Sequence, residues 1–388
     1  MRRSFKFVLR PTSRQGDALT AMLHDHCELY NAALQERRDA WRTHRARISY
    51  FSQTAQLKDI RASDPDQARW ASMSQQATLR RLEFAFQGFF RRVKDGQKPG
   101  YPRFRTSARF DSVTWPLDGN GCRWDSTANA GPIRLFLKGV GHIRVHAHRK
   151  VEGVVKTVSV KREGRRWFVV LSCDEVPGLV LPETGSAAGI DMGVASFLTT
   201  SDGAQIANPR HGRRNADQLA AAQRDLARKQ RGSVRRRKAR ERVAALHGKV
   251  RRQRLDHAHK TAMWLVRHHD VIAHEDLRIS NMTRSASGTV EAPGTNVAQK
   301  SGLNRSILDV GWGVFLNVLA SKAESAGRVV VAVNPANTSR TCPDCGRCAK
   351  ENRVTQADFA CVACGFAGHA DVVGATNVLR AGLALLHA

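Results

Sequence analysis

One short stretch, GIDMGV at residues 189–194, ends an apolar strand with a carboxylate, Asp191. Two later carboxylates occupy comparable points: Glu275 ends the strand that begins with the apolar residues 271–273, and Asp371 begins the terminal helix. Taken singly, each has an ordinary interpretation, as a turn residue, a solvated strand end or a helix N-cap, a position that Asp favours. Taken together, they predict an RNase-H-like sheet, because two strand ends and a terminal helix can bring three acidic side chains to one edge.

Three carboxylates at such an edge suit hard divalent cations. Carboxylate oxygens bind Mg²⁺, and a pair of ions can activate a water and stabilise the leaving oxygen during in-line attack on a phosphodiester. Cleavage of a phosphodiester builds negative charge that carboxylates alone would repel. The pattern therefore predicts a hydrolytic site at Asp191, Glu275 and Asp371, with Mg²⁺, as two ions, for its cofactor.

Two Cys-x-x-Cys pairs lie about 15 residues apart near the end of the chain: Cys342 with Cys345, and Cys361 with Cys364. This spacing is typical of a zinc ribbon, in which four thiolates hold one Zn²⁺ in a tetrahedron. Cys348 extends the first pair to Cys-x-x-Cys-x-x-Cys, so an iron–sulfur cluster is an alternative to zinc. The fourth cysteine that such a motif has three residues later is missing. The predicted zinc is structural and does not itself imply catalysis.

The chain is strongly basic: of its 388 residues, 63 are Lys or Arg and 34 are Asp or Glu, a formal net charge of +29. Such an excess repels itself unless a polyanion neutralises it, and nucleic acid is the default partner. A membrane surface, a ribosome or non-specific adhesion remain as alternatives. The segment 211–268 reads as basic helices, and its cationic clusters are expected either to contact phosphates or to form a solvated helix face. These clusters are Arg235, Arg236, Arg237, Lys238, Arg251 and Arg252.

The sequence also gives an expectation for the compartment. No run of about 18 apolar residues is present to span a membrane, and the basic N-terminus lacks the apolar core of a signal peptide. Cysteines scattered without a secretion signal indicate a reducing environment. We expect a cytoplasmic protein.

The remaining sequence divides by its periodicity. Residues 1–10 alternate and predict a strand, residues 11–105 are mainly helical, and residues 106–182 contain several short strands. The first strand could join the later ones, so that the helical block is an insertion into a small β domain. Strands and helices follow a linker at 182–186, and residues 283–302, rich in Ser, Gly, Thr and Asn, predict a mobile loop.

In this order the motifs resemble the TnpB family, the transposon-encoded nucleases from which type V CRISPR effectors descend. The resemblance covers almost the whole chain and rests on GIDMG at 189–193, EDL at 275–277, TSRTCPDCG at 338–346, CVACG at 361–365, HADV at 369–372, FFRR at 89–92 and GYPRFR at 100–105. One departure follows the last Asp, where many relatives have Val-Asn-Ala-Ala and this chain has VVGA at 372–375. A Gly thereby enters the helix, at roughly 1 kcal/mol relative to Ala.

The resemblance implies an RNA-guided DNA endonuclease. A non-coding guide RNA would pair with one strand of double-stranded DNA, the protein would recognise a short adjacent motif, and one RuvC site would cut both strands. Asp191, Glu275 and Asp371 would be catalytic, the four paired cysteines would hold zinc, and the basic helices would contact the guide RNA. Other readings are a guided DNA-binding repressor that no longer cuts, a guide-independent RNase-H-like nuclease and a DDE-type transposase. The three retained carboxylates favour cleavage over repression, and the long N-terminal region argues against a minimal nuclease.

The resemblance also implies a multidomain α+β architecture, in which an RNase-H-like (RuvC) α/β nuclease domain with an inserted zinc ribbon follows a small β-barrel with a helical insertion. The implied domains are a wedge domain of residues 1–10 and 106–182, a helical recognition domain of residues 11–105, a RuvC domain of residues 183–337 with its basic helical segment 211–268, a zinc-ribbon target-nucleic-acid-binding domain of residues 338–368, and a C-terminal RuvC helix of residues 369–388.

Overall fold

The alternating sequence at the N-terminus forms a strand, β1 (Arg3–Arg10), in the computed structural model, which describes residues 1–125 and 131–387. Residues 126–130 and 388, inside the predicted segments 106–182 and 369–388, lie outside the described residues. Six strands accompany β1: β2 (Ser112–Trp115), β3 (Cys122–Arg123), β4 (Arg134–Leu137), β5 (Gly141–His146), β6 (Val154–Glu163) and β7 (Arg166–Asp174). They form one antiparallel sheet, in the order β2-β6-β7-β1-β5-β4-β3, that is a nearly closed β-barrel within the unit Met1–Pro177.

Five helices separate β1 from β2 in the chain: α1 (Ser13–His44), α2 (Tyr50–Ala55), α3 (Leu57–Ser63), α4 (Pro65–Ala68) and α5 (Ser72–Lys94). α1 begins at a capping box, in which the side chains of Thr12 and Gln15 each accept the other residue's amide N–H. Arg37 of α1 donates to Glu83 of α5 at 2.8 Å. This buried contact joins the two long helices above their shared apolar core.

A five-stranded sheet organises the second unit, Gly178–Ala388. Its strands are β8 (Ala187–Asp191), β9 (Ser196–Thr200), β10 (Gln205–Ala207), β11 (Val271–Glu275) and β12 (Val329–Val333). The order is β10-β9-β8-β11-β12, with β8, β11 and β12 parallel and β9 and β10 antiparallel to their neighbours. Asp191 and Glu275 are the last residues of two adjacent parallel strands, so the topology brings both carboxylates to the same edge.

Seven helices accompany this sheet: α6 (His211–Arg214), α7 (Ala216–Ala227), α8 (Val234–His268), α9 (Ile279–Met282), α10 (Val297–Val310), α11 (Trp312–Ala326) and α12 (Ala370–His387). The prediction of a loop over residues 283–302 is wrong at its end, because α10 begins at Val297. The Ser- and Gly-rich composition does not indicate this helix, which is stabilised by hydrogen bonds to another segment. The side chains of Lys300 and Asn304 both donate to backbone carbonyls of residues 282–284.

The cysteine-rich segment lies between β12 and α12. It contains a short antiparallel pair, β13 (Asp358–Ala360) and β14 (Ala367–His369), and a 3₁₀ turn at Lys350–Asn352. Asn352 is fully buried and joins the two halves, since its amide donates to the carbonyls of Arg340 and Arg347 and its oxygen accepts the N–H of Val362. Among the helices of the described chain, none has the length and apolar character needed to cross a bilayer.

Candidate nuclease centre and cysteine cluster

The three predicted acidic residues line one cavity of about 330 Å³. Asp191 reaches it from the end of β8, Glu275 from the end of β11 and Asp371 from the first turn of α12. α12 comes this close to β8 because Gly189 has no side chain: a Cβ there would lie 2.0 Å from the carbonyl oxygen of Ala375. The packing of one glycine therefore brings the helix-borne carboxylate to the two strand-borne ones.

The cavity opposes the ionisation of Asp191 and Glu275. Burial, together with the charges of Glu275 and Asp371, raises the pKa of Asp191 to about 7, although Arg353 acts in the opposite direction. Burial also raises the pKa of Glu275, against a hydrogen bond from Thr338. Carboxylates held together in this way are stabilised as anions by a cation between them. The donor set therefore fits divalent metal ions that prefer oxygen ligands.

Two residues at this cavity were missed by the sequence analysis. Thr338 donates its hydroxyl to Glu275 Oε1 at 2.6 Å, and Arg353 has a guanidinium nitrogen 3.8 Å from Asp371 Oδ1. Both come from the segment around the cysteines rather than from the sheet. Thr338 lies in the motif TSRTCPDCG, and this position was a sequence feature that could have identified it. Arg353 is one of many arginines, and no sequence feature distinguishes it.

A polar side chain on α12 fixes the segment that carries Thr338. The amide of Asn377 donates to the carbonyls of Thr338 and Thr341 at 2.8 and 2.7 Å. Asn377 lies on the same helix as Asp371, six residues later. The helix that supplies one carboxylate thus also holds the hydroxyl that binds another.

The four predicted thiols gather at one point. The sulfur atoms of Cys342, Cys345, Cys361 and Cys364 all lie within 4.8 Å of one another, and two of the pairs, Cys342 with Cys364 and Cys345 with Cys361, are 3.6 Å apart. Four sulfurs around an ion at about 2.3 Å would be roughly 3.8 Å apart, so the cluster fits a tetrahedral metal.

The local backbone favours the metal-binding form of Cys361, whereas hydrogen bonds with Cys345, Cys342 and Cys361 raise the pKa of Cys364 to about 12. The amides of Cys364 and Ala363 lower the pKa of Cys361 to about 6, and the thiolate is the form that ligates metals. Cys348 is exposed and is not part of the cluster, so the described residues bring together the four cysteines predicted for zinc and leave out the fifth.

The basic clusters lie on α8. Arg235, Arg237 and Lys238 near its start are exposed, as are Arg251 and Arg252 further along. Arg236 differs, because its guanidinium donates to the carbonyls of Leu226 and Lys229 at 2.9 and 2.8 Å and closes the turn between α7 and α8. The sequence could not separate this structural arginine from its exposed neighbours.

Comparison with known proteins identifies relatives of this arrangement. Residues 158–286 match the OrfB family of IS605 elements, described as "Probable transposase", and residues 312–378 match the family "Cas12f1-like, TNB domain". Among solved structures, the mini-RNA-guided endonuclease CRISPR-Cas phi3 has a TM-score of 0.50 and 11% identity, over 99% of this chain and 92% of that one. At this identity the likeness is one of fold alone.

Two curated relatives match at full length. A relative from Streptomyces pristinaespiralis, named as an RNA-guided DNA endonuclease, is 31% identical over 393 residues, covering 99% of this chain and 90% of the relative. InsQ of Escherichia coli (strain K12), named as an RNA-guided DNA endonuclease, is 35% identical over 385 residues, covering 99% of this chain and 93% of InsQ. Identity of this degree along nearly the whole of both proteins confirms the resemblance found in the motifs, and the chain belongs to the TnpB family of transposon-encoded proteins.

Proposed function

We propose that this chain is an RNA-guided DNA endonuclease. It would bind a guide RNA derived from its transposon, recognise a short motif beside a matching double-stranded DNA target, and hydrolyse both strands in one RuvC site. The observation that carries the proposal is the meeting of Asp191, Glu275 and Asp371 in one cavity, in a chain whose full-length relatives are named for this activity. The mixed sheet, with its acidic strand ends and terminal helix, supports an RNase-H-like (RuvC) fold for residues 183–337 and 369–388.

The three carboxylates would hold Mg²⁺, as two ions. Among the described residues, the sulfur atoms of the four cysteines all lie within 4.8 Å of one another. The carboxylate oxygens of Asp191, Glu275 and Asp371 do not form a group this compact. The wider spacing supports a site for two ions rather than for one ion ligated by all three. When bound, such ions supply a nucleophilic water and stabilise the charge on the leaving oxygen.

The protein's own groups bind and orient the strand. Arg353 lines the cavity beside Asp371 and offers a guanidinium to a phosphate oxygen, where a fixed cation favours the charge that develops during hydrolysis. Thr338 occupies one oxygen of Glu275 and would leave the other for a metal ion. The chain thereby positions a phosphodiester before any bond changes.

The four clustered cysteines would hold one structural Zn²⁺, making residues 338–368 a zinc-ribbon target-nucleic-acid-binding domain. Because Thr338 and Arg353 both come from this domain, the zinc would also fix two groups that contact the catalytic carboxylates. Loss of the zinc is therefore expected to disturb catalysis as well as stability.

The RNA and DNA would lie against the basic surfaces. The exposed α8 cations Arg235, Arg237, Lys238, Arg251 and Arg252 are suited to guide-RNA phosphates, and the net charge of +29 supports a large polyanionic partner. The β-barrel and the helices α1–α5 would form the wedge and recognition domains that grip the heteroduplex and the adjacent motif. Such a protein would act at the nucleoid.

The test pairs cleavage with two carboxyl variants. The chain is expressed with its native downstream DNA, bound RNA is sequenced, and a plasmid library carries the guide's target beside randomised flanks. Asp191→Ala and Glu275→Gln should abolish Mg²⁺-dependent plasmid loss. Asp276→Asn, an exposed acidic neighbour of Glu275, serves as the matched control and should cut normally.

Each outcome has a separate meaning. Guided cleavage is established if plasmids with a subset of the flanks are lost with the unmodified chain and with Asp276→Asn, and with neither of the other two variants. Guide-dependent binding without cutting means a repressor, and cutting without bound RNA, regardless of sequence, overturns the guided model.

A further inference from the structure

Two cavities adjoin the carboxylate cavity in the C-terminal unit. The smaller one, of about 410 Å³, shares Ala195 with the carboxylate cavity, and the larger one, of about 750 Å³, shares Val194 with it. Asn208 and Arg210 line both of these additional cavities. We refer to the three adjoining cavities together as the groove, whose lining extends from Asp191 to residues of α7, α8 and α10.

Arg210, at the middle of this groove, has an uncommon backbone conformation. Its φ of 48° and ψ of 47° are left-handed, a region that non-glycine residues rarely adopt. Asn208 holds it there: its side-chain oxygen accepts the Arg210 amide at 3.0 Å, and its side-chain nitrogen donates to the Val194 carbonyl at 2.8 Å. Val194 follows Asp191 by three residues, so Arg210 is tied to the loop of a catalytic carboxylate. Imposed conformations of this kind cluster at functional sites.

The groove presents cations without acidic partners. Arg210, Arg213 and Arg214 are exposed, and in the described parts of the chain none of them forms an ion pair. Asp309, which lines the larger cavity, is already neutralised, because it accepts two amides at the start of α6, at 2.7 and 3.0 Å, and an ion pair from Arg254 at 2.5 Å. Its charge fixes the short helix instead of opposing a bound anion.

We propose that Arg210 and Arg214 bind the phosphates of the single DNA strand that continues beyond the scissile phosphodiester. The inference rests on the proposed function, since that function makes DNA the substrate of the adjoining cavity. The cavity that both arginines line, of about 410 Å³, lies within the range of about 300–1,000 Å³ that encloses molecules of drug size, so it accommodates the backbone of one strand. Two guanidinium groups in the cavity that adjoins the carboxylates would set which phosphodiester enters the site.

The experiment measures binding by the full chain with its guide RNA, made inactive by Asp191→Ala so that DNA is not consumed. One labelled strand ends with the guide-complementary sequence, and a second carries an unpaired extension long enough to enter the groove. Arg210→Gly removes the side chain and also relieves the left-handed backbone, so the fold is retained. Arg214→Gln tests the second cation, and Arg224→Gln, an exposed arginine of α7 that lines none of the three cavities, is the matched control.

The extension should tighten binding in the parent and in Arg224→Gln. Arg210→Gly should lose about tenfold of that gain, as expected for one charged contact, and the salt slope should fall by about 0.7 for each phosphate released. Guide-RNA affinity should not change. Equal affinities for both strands in every variant, or a loss confined to RNA binding, would overturn the assignment to DNA. A parent complex that binds no target DNA would instead refute the proposed function itself.

Discussion

Substituting Gly189 by Ala tests whether the packing of α12 on β8 sets the geometry of the carboxylates. A Cβ at this position would lie 2.0 Å from the carbonyl oxygen of Ala375 and 2.5 Å from the amide nitrogen of Leu379. Carbon–oxygen contacts normally begin at about 3.3 Å. The methyl group therefore requires the helix to withdraw by about 1 Å, since both clashing atoms are backbone and cannot rotate away.

The displacement has two measurable consequences. Overpacking of a buried contact destabilises by about 1–3 kcal/mol, which lowers the Tm of a unit of this size by about 2–12 °C. Asp371 lies one helical turn before Ala375, so the shift also reaches the carboxylate. A misplacement of about 1 Å can slow an enzyme about 100-fold, and we expect a loss of that order in single-turnover cleavage at saturating DNA.

The matched control is Gly313→Ala on α11, where the new Cβ would meet Ile279 at an ordinary 3.5 Å. It should be neutral or stabilising by up to about 1 kcal/mol and should cut at the unmodified rate. If Gly189→Ala unfolds at the unmodified temperature, the steric reasoning is wrong. If it is destabilised but cuts normally when folded, then α12 does not transmit its position to the active site.

Four further substitutions or conditions follow from the contacts. Thr338→Val removes the hydroxyl that binds Glu275 and should raise the Mg²⁺ concentration for half-maximal cleavage by about tenfold or more; Thr338→Ser should restore it, and an unchanged requirement in the Val variant would contradict the role. His26 is fully buried, with its pKa lowered by burial to about 4, so the unfolded chain takes up the proton first as pH falls. The free energy of unfolding should therefore drop by about 3 kcal/mol between pH 6.5 and 4. If denaturant titrations show the same dependence of this free energy on pH in a His26→Gln variant, His26 is not its origin. Cys361→Ser should lower both the zinc content by elemental analysis and the Tm, and full zinc retention would argue against the cluster. Asp191→Asn should abolish cutting, yet in EDTA at pH 8 it should stabilise the protein by about 2–4 kcal/mol, because the pKa of Asp191 is raised to about 7 and the carboxylate is ionised there at a cost. A variant less stable than the unmodified chain would refute that last expectation.

The acidic residues could be found from sequence because their signal is local. A carboxylate at the end of an apolar strand can be recognised within a short segment, although alone it has an ordinary interpretation, and Asp191 and Glu275 do end adjacent parallel strands. The cysteines were equally visible, since ligands that share a metal through tight turns must recur at fixed spacing. In both cases a short segment carries the chemical requirement without help from distant residues.

The supporting residues could not be found in this way. Thr338 contacts Glu275 from 63 positions away, and although the motif around Thr338 draws attention to it, the motif does not show which carboxylate the hydroxyl contacts. Arg236 donates to the carbonyls of Leu226 and Lys229 in the turn between α7 and α8, whereas Arg235 and Arg237 are exposed. The sequence does not show which of these consecutive arginines faces the turn. Composition also misjudged the start of α10, where tertiary hydrogen bonds outweigh weak helix propensity.

Gly374 joins these observations, because it lies in α12 directly against Asp191. A Gly within a helix lowers helix stability by roughly 1 kcal/mol relative to Ala, so helix propensity alone disfavours Gly374 in α12. A Cβ at this position, however, would lie 3.2 Å from Asp191 Oδ2, closer than most carbon contacts. The absence of a side chain at Gly374 therefore leaves open space beside the oxygen that is expected to bind metal. Together with Gly189, which lets the helix approach at all, it indicates that local helix and strand preferences yield here to the room that the carboxylates need.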